Sequence, residues 1–197
     1  MSYTVSPVHT EEYFVKLAQD IEAMGADLIC IKDMAGLLLP YDAYSLIKKL
    51  KAATKLPIVL HTHNTAGTGA MTILKAVEAG VDVVDTALSP LGGGTSQPAT
   101  ESIVAVLQGT EYDTGLDFEL LAKIAEHFRG VADRLTKDGW RDPGKVLSVD
   151  AKALQYQVPG GMLSNLIGQL KQANAMDKYY QVLEEVPRVR KDFGYPP

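Results

Sequence analysis

The stretch IVLHTHN places two histidines, His61 and His63, one residue apart at the end of an apolar run. On an extended strand alternate residues share a face, so Val59, His61 and His63 point one way and Leu60 and Thr62 the other. Two imidazoles side by side at a strand end are spaced to grip one divalent ion; hydrogen-bonded rim residues are the plainer use of the same pair. A second residue with chemistry stands in LICIKDMAG, where Cys30 and Lys32 share one face and Ile31 and Asp33 the other. A lysine beside a divalent cation is repelled and gives up its proton more readily. The neutral amine can add carbon dioxide to form a carbamate, an anionic oxygen donor. The ordinary alternative is an ion pair of Lys32 with Asp33 or Asp85.

These residues need a scaffold that aims them. In EAMGADLICIKDMAG a helix-like run closes at Gly25 before the apolar LICI, and in EAGVDVVDTALSP Gly80 plays the same part before a strand over residues 81–86. LPIVLHTHN follows the helix-like YDAYSLIKKLKAAT, and YTVS near the start supplies a fourth strand. Residues 1–110 therefore read as four β/α units, the pattern of a parallel sheet with crossover helices. Apolar runs without clean alternation predict strands covered on both faces. Residues 111–197 read as all-helical, with Phe118, Leu121, Ile124 and Phe128 at helical spacing forming an ordinary core stripe. Parallel α/β folds place their chemistry at the carboxyl ends of strands. Here those ends are Ser6-Pro7, Lys32-Asp33, His61-Thr62-His63-Asn64 and Asp85-Thr86.

Composition narrows the function. With 197 residues, 46% hydrophobic and 22% charged, the chain can bury a real core. A net charge of −5 offers no basic surface for phosphates, so nucleic acid is not an expected partner. No apolar run approaches the roughly 18 residues of a membrane span, and MSYTVSPV opens without the regions of a secretion signal. The single cysteine, Cys30, excludes an internal disulfide and fits a reducing cytoplasm. LGGGTSQP lacks the GK[ST] ending of a P-loop and reads as the turn from the last strand into its helix, with a backbone anion nest as its other use. PGG at 159–161 reads as a turn before the helix that carries Ser164.

The motifs YTVSP, CIKDMAGLL, LHTHNTAG, VDVVDTA, GGGTSQP and PGGMLSN, in this order, give the chain its resemblance to the carboxyltransferase domains of biotin-dependent enzymes. That group includes pyruvate carboxylase, the oxaloacetate decarboxylase α subunit and a transcarboxylase subunit, and the resemblance runs from Tyr3 to Pro197. It implies an α/β fold, the C-terminal half of a TIM (β/α)8 barrel with about four β/α units, followed by an all-helical extension. It further implies that His61 and His63 bind a divalent metal (zinc, manganese or cobalt) and that a carbamylated Lys32 is a catalytic further ligand. Ser164 matches the hydroxyl residue that meets biotin and relays a proton between it and pyruvate.

The implied substrates are pyruvate and oxaloacetate. No biotin-accepting methionine-lysine-methionine triplet is present, so biotin is expected on a separate carrier domain or subunit. No membrane span is expected, although a decarboxylase of this kind can join a membrane complex. The family's earlier strands bring an aspartate and an arginine to the site. The chain is accordingly expected to be a fragment, a split subunit or a homo-oligomer whose bare sheet edges pair. Two other readings stand beside this one. A related lyase and condensing branch acts on acyl-CoA; it resembles D-T-x-G where this chain has Lys32-Asp33-Met34-Ala35-Gly36, and it lacks PGGMLSN. A non-catalytic assembly fragment is the third.

Overall fold

Strand β1 (Ile29–Asp33) pairs in parallel with β2 (Ile58–Thr62), and β2 with the two-residue β3 (Val83–Val84), so strands consecutive in the chain are neighbours in the sheet. The computed structural model describes residues 1–196, the side chains of Lys145 and Ser164 excepted; Pro197 lies outside the described residues. The register sets Lys32 opposite His61 and Asp33 opposite Thr62. On the other side of β1 the amino-terminal segment adds a parallel bridge from Ser2 to Lys32, with the Tyr3 N–H donating to the Lys32 carbonyl at 2.9 Å.

The two outer strands are thus shorter than the sequence predicts. YTVS contributes only the hydrogen bond from the Tyr3 N–H beside that bridge, and 81–86 only Val83–Val84.

Three helices, joined by Ile103 and Leu107 of a later one, cover one face. In α1 (Glu11–Ala23), Thr10 accepts from the Tyr13 N–H as N-cap, and Phe14 and Ala18 turn inward. In α2 (Pro40–Ala53), proline stands at the first position, where no donor is needed, and Ala43, Leu46, Ile47 and Leu50 form the buried stripe. In α3 (Gly69–Ala79), the Asn64 side chain accepts from the Gly69 N–H, and Ile73, Ala76 and Ala79 are buried. These stripes pack on Ile29, Ile31, Ile58 and Leu60, each at most 1% exposed. Truncating any one of the four to alanine would cost about 2–5 kcal/mol.

The expectation of strands covered on both faces is not met. Burial alternates along β1 and β2, and the face bearing Cys30, Lys32, Val59 and His61 is open or half-open. Among the described residues no helix packs there.

The remainder is helical, as the sequence predicts: α4 (Thr100–Leu107), α5 (Phe118–Lys137), α6 (Pro143–Val146), α7 (Ala153–Tyr156), α8 (Gly160–Gln172) and, after a 3-10 turn, α9 (Tyr179–Asp192). The α5 stripe is not the core expected of it. Phe118 and Ile124 are 41% and 37% exposed, and only Ala125 and Ala132 are buried, since α4 is the main helix packed against α5. Helix α9 is tied back to the sheet by Arg190, whose Nη2 donates to Thr4 Oγ1 at 2.9 Å and whose Nη1 donates to Gln157 Oε1.

Asp82 anchors the start of β2. Its carboxylate accepts from the Ile58 N–H at 2.7 Å and pairs with Lys51 on α2 at 2.8 Å. Partial burial favours the neutral acid, but the Ile58 N–H and the Lys51 ammonium outweigh it and hold the carboxyl below its usual range. A depressed folded-state value adds stability above the unfolded carboxylate range and loses it as pH falls through the folded value. Asp82→Ala is expected to cost about 1–3 kcal/mol at pH 7. In urea melts the gap from the parent should narrow once the pH drops below about 4.

Candidate metal centre

At the carboxyl ends of β1 and β2 the two faces have separate tasks. On the helix-covered face, Asp33 is fully buried. It accepts from the Leu37 and Leu38 N–H groups at 2.8 and 3.0 Å and from the Thr62 hydroxyl at 2.8 Å. Burial pushes the Asp33 carboxyl up, and these three donors oppose the rise. The same contacts bend the loop after β1 against the loop after β2. They meet at Gly36, where φ is +67° and an added Cβ would lie 2.7 Å from the His63 carbonyl oxygen, so glycine alone permits the approach.

On the open face, His61 and His63 converge. Strand β2 ends at Thr62, leaving His63 just beyond it, and the two Nε2 atoms are 3.2 Å apart. His61 Nδ1 faces Asp85 Oδ2 at 2.8 Å, and His63 Nδ1 faces the Thr95 carbonyl at 2.5 Å. A carboxylate and a carbonyl only accept, so both Nδ1 atoms carry the proton and both Nε2 atoms present lone pairs. Two lone pairs aimed at each other repel unless something electropositive stands between them. Two metal–nitrogen bonds of about 2.1 Å spanning 3.2 Å subtend about 100°, between tetrahedral and octahedral angles. The pair therefore fits a divalent cation. The Gln97 amide nitrogen sits 3.3 Å from His61 Nε2 and 3.1 Å from His63 Nε2, the third group at the same point.

Lys32 stands opposite His61 in the ladder, on the same exposed face. The ion pair with Asp33 or Asp85 weighed from the sequence is not formed. Asp33 is spent on backbone and Thr62, Asp85 on His61, and among the described residues no carboxylate pairs with Lys32. No three His, Cys, Asp or Glu side chains among the described residues gather for a metal, so any further donor must be of another kind or come from outside them. Cys30 shares this face, but burial pushes its thiol up, which keeps it protonated and a poor ligand.

Position 164 falls within α8, and the Ser164 side chain lies outside the described residues. Nearby on α8, Met162 lines a cavity of about 220 Å³ with Met34, Ala35 and Leu37 of the loop after β1, so α8 approaches the sheet at its carboxyl end.

A family model described as HMGL-like matches residues 2–127, and one described as a conserved carboxylase domain matches residues 153–197. The chain belongs to the HMGL-like family. This HMGL-like chain is 56% identical to a pyruvate carboxylase subunit of Methanocaldococcus jannaschii over 99% of its own length and 34% of the relative's. It is 46% identical to the 2-oxoglutarate carboxylase large subunit of Hydrogenobacter thermophilus, over 100% of the chain and 30% of that protein. Among solved structures, the carboxyl transferase domain from Rhizobium etli pyruvate carboxylase superposes with a TM-score of 0.91 at 37% identity, covering 99% of this chain and 33% of that one. The HMGL-like chain thus spans about a third of the length of the relatives it matches, and the carboxyltransferase resemblance read from its motifs is borne out.

The sequence points to the histidines but not to what aims them. In the sequence Asp85 stands out only as a strand-end acid and a partner for Lys32. Gln97 and the Thr95 carbonyl lie in LGGGTSQP, which does turn the chain toward α4 but also reaches back over the histidine pair. The available signal is position: a loop leaving the carboxyl end of the neighbouring strand, with one amide in it. Thr62→Val, of nearly equal volume, removes a donor from the buried Asp33 carboxylate. It is expected to cost about 1–3 kcal/mol in denaturant melts while leaving far-UV dichroism intact.

Proposed function

We propose that this chain is part of a metal-dependent carboxyltransferase that moves a carboxyl group between a biotin carrier and a 2-oxo acid of the pyruvate/oxaloacetate kind. The convergence of two Nε2 lone pairs, 3.2 Å apart with both Nδ1 atoms tied down, carries the proposal. The family membership and the likeness to a carboxyl transferase domain support it. In this reading residues 1–110 are the C-terminal half of a TIM barrel and residues 111–197 its helical extension. The open face bearing Lys32 and His61 is closed by further strands, from an adjoining segment or from a second copy in a homo-oligomer. The free thiol of Cys30 fits a reducing cytoplasm. No described helix is long and apolar enough to cross a membrane.

His61 and His63 hold the divalent ion, zinc, manganese or cobalt, with Lys32 as a carbamate beside them. When bound, the ion supplies a Lewis acid that polarises the ketone oxygen of the substrate. Asp85 and the Thr95 carbonyl keep both imidazoles in the ligating tautomer. Lys32, with no carboxylate partner among the described residues, is the amine that takes up carbon dioxide. Ser164 passes a proton between the substrate methyl and the biotin ureido nitrogen; a serine hydroxyl is a weak base and acts as a relay. The Hydrogenobacter relative, named a 2-oxoglutarate carboxylase, favours a second acid for the same site.

The purified chain is expected to carry near-stoichiometric metal that a His61→Ala/His63→Ala variant loses at unchanged far-UV dichroism. Lys32→Met should weaken binding roughly tenfold or more, in the range seen when groups supporting a metal are removed. Biotin-dependent turnover of oxaloacetate, compared with the 2-oxoglutarate equivalent, identifies the acid. Carbon–carbon cleavage of acyl-CoA substrates, or a well-folded chain that takes up no metal, would overturn the proposal.

A further inference from the structure

Residues 146–150, from the end of α6 toward α7, are far from the histidines in sequence, yet they lie directly on the two loops that form the pair. The Val146 carbonyl accepts from the Thr95 N–H at 3.0 Å, and the Asp150 N–H donates to the Thr65 carbonyl at 2.9 Å. One end of this segment therefore holds the glycine loop and the other the loop after β2. The fit is close: a Cβ added at Gly94 would stand 2.1 Å from the Val146 oxygen, and one at Gly67 would stand 2.9 Å from a Val149 methyl. Just upstream, Arg141 Nη2 donates to the Pro90 carbonyl at 2.9 Å and fixes the approach to the same loop.

Residue 95 joins the two contacts. Its N–H is held by Val146, and its C=O takes the proton of His63 Nδ1. We propose that residues 146–150 act as a strap that, through Thr95, fixes the tautomer and aim of the His63 imidazole. An imidazole is free to rotate and to carry its proton on either nitrogen; the Thr95 carbonyl at 2.5 Å draws it to Nδ1, and the Gln97 amide nitrogen facing Nε2 at 3.1 Å favours the same form. The loop on either side of it is held by the Gly93 N–H on the Gln97 carbonyl and by the Asn64 N–H on the Ser96 carbonyl; the strap supplies the restraint on residue 95 itself. The consequence for metal affinity rests on the reading of the pair as a metal site; the effect on the tautomer does not.

Two neighbouring glycines separate this contact from backbone strain. Gly93 and Gly94 both have positive φ, +81° and +50°, so alanine is strained at either, but a Cβ on Gly93 meets nothing within 4 Å. Long-range proton–nitrogen spectra of the imidazoles, taken where both are neutral, should show His63 as the Nδ1–H form in the parent and in Gly93→Ala. In Gly94→Ala the signals should shift toward a tautomer mixture. Cobalt titrations should show Gly94→Ala binding roughly tenfold or more weaker, as expected when a partner of a ligating histidine is lost, with Gly93→Ala close to the parent. If Gly94→Ala fails to fold by far-UV dichroism, Arg141→Ala loosens the strap without added strain and should move the tautomer the same way. An unchanged tautomer in the folded strap variants, or equal changes in the two glycine variants, overturns the proposal. If the tautomer follows the strap while the parent takes up no cobalt, the strap stands and the metal reading falls.

Discussion

The arrangement at the carboxyl end of the sheet depends on a single buried carboxylate. Asp33 is enclosed on the helix-covered side, where an unpaired charge would cost several kcal/mol, and two backbone N–H groups and the Thr62 hydroxyl answer it. Those donors come from the loop after β1 and from the end of β2, so satisfying one charge clamps both to a fixed register. In a parallel ladder that register decides which face every neighbour occupies. With Asp33 opposite Thr62, Lys32 and His61 must lie side by side on the far face. A slip of β2 by one residue would turn the histidine inward and take the Thr62 donor away from Asp33.

Much of this order is written in local sequence. The three covering helices follow from apolar stripes bounded by Thr10, Pro40 and the turn residues of HTHNTAG, and the central strands from short β-branched runs between them. The histidine pair is equally local, since side-chain alternation on one strand suffices to bring two imidazoles together. What the sequence does not show depends on contacts between distant segments. The outer strands keep only a few ladder contacts, and the α5 stripe stays open because its main neighbour is α4. Spacing alone does not reveal either absence. The Thr95 carbonyl that orients His63 is a backbone atom, and no residue type announces it.

The two faces also divide stability from chemistry. The covered face holds the aliphatic core and a charge neutralised by fixed donors. The open face holds a lysine with no carboxylate partner among the described residues, a thiol kept protonated by burial, and imidazole lone pairs facing each other. The energetic cost of these poorly matched groups is borne by the core behind them, as is usual where a fold keeps reactive side chains in a fixed geometry.

Gln97 shows how little movement the site needs. Its amide nitrogen faces both histidines, and its oxygen faces the Ser96 hydroxyl at 3.3 Å. The two ends of an amide have nearly the same shape but opposite polarity, and a hydroxyl can donate or accept. A half-turn about one side-chain torsion therefore replaces two donors with an oxygen acceptor at the point between the rings. It converts a pocket closed by hydrogen bonds into one that attracts positive charge, with no shift of the backbone.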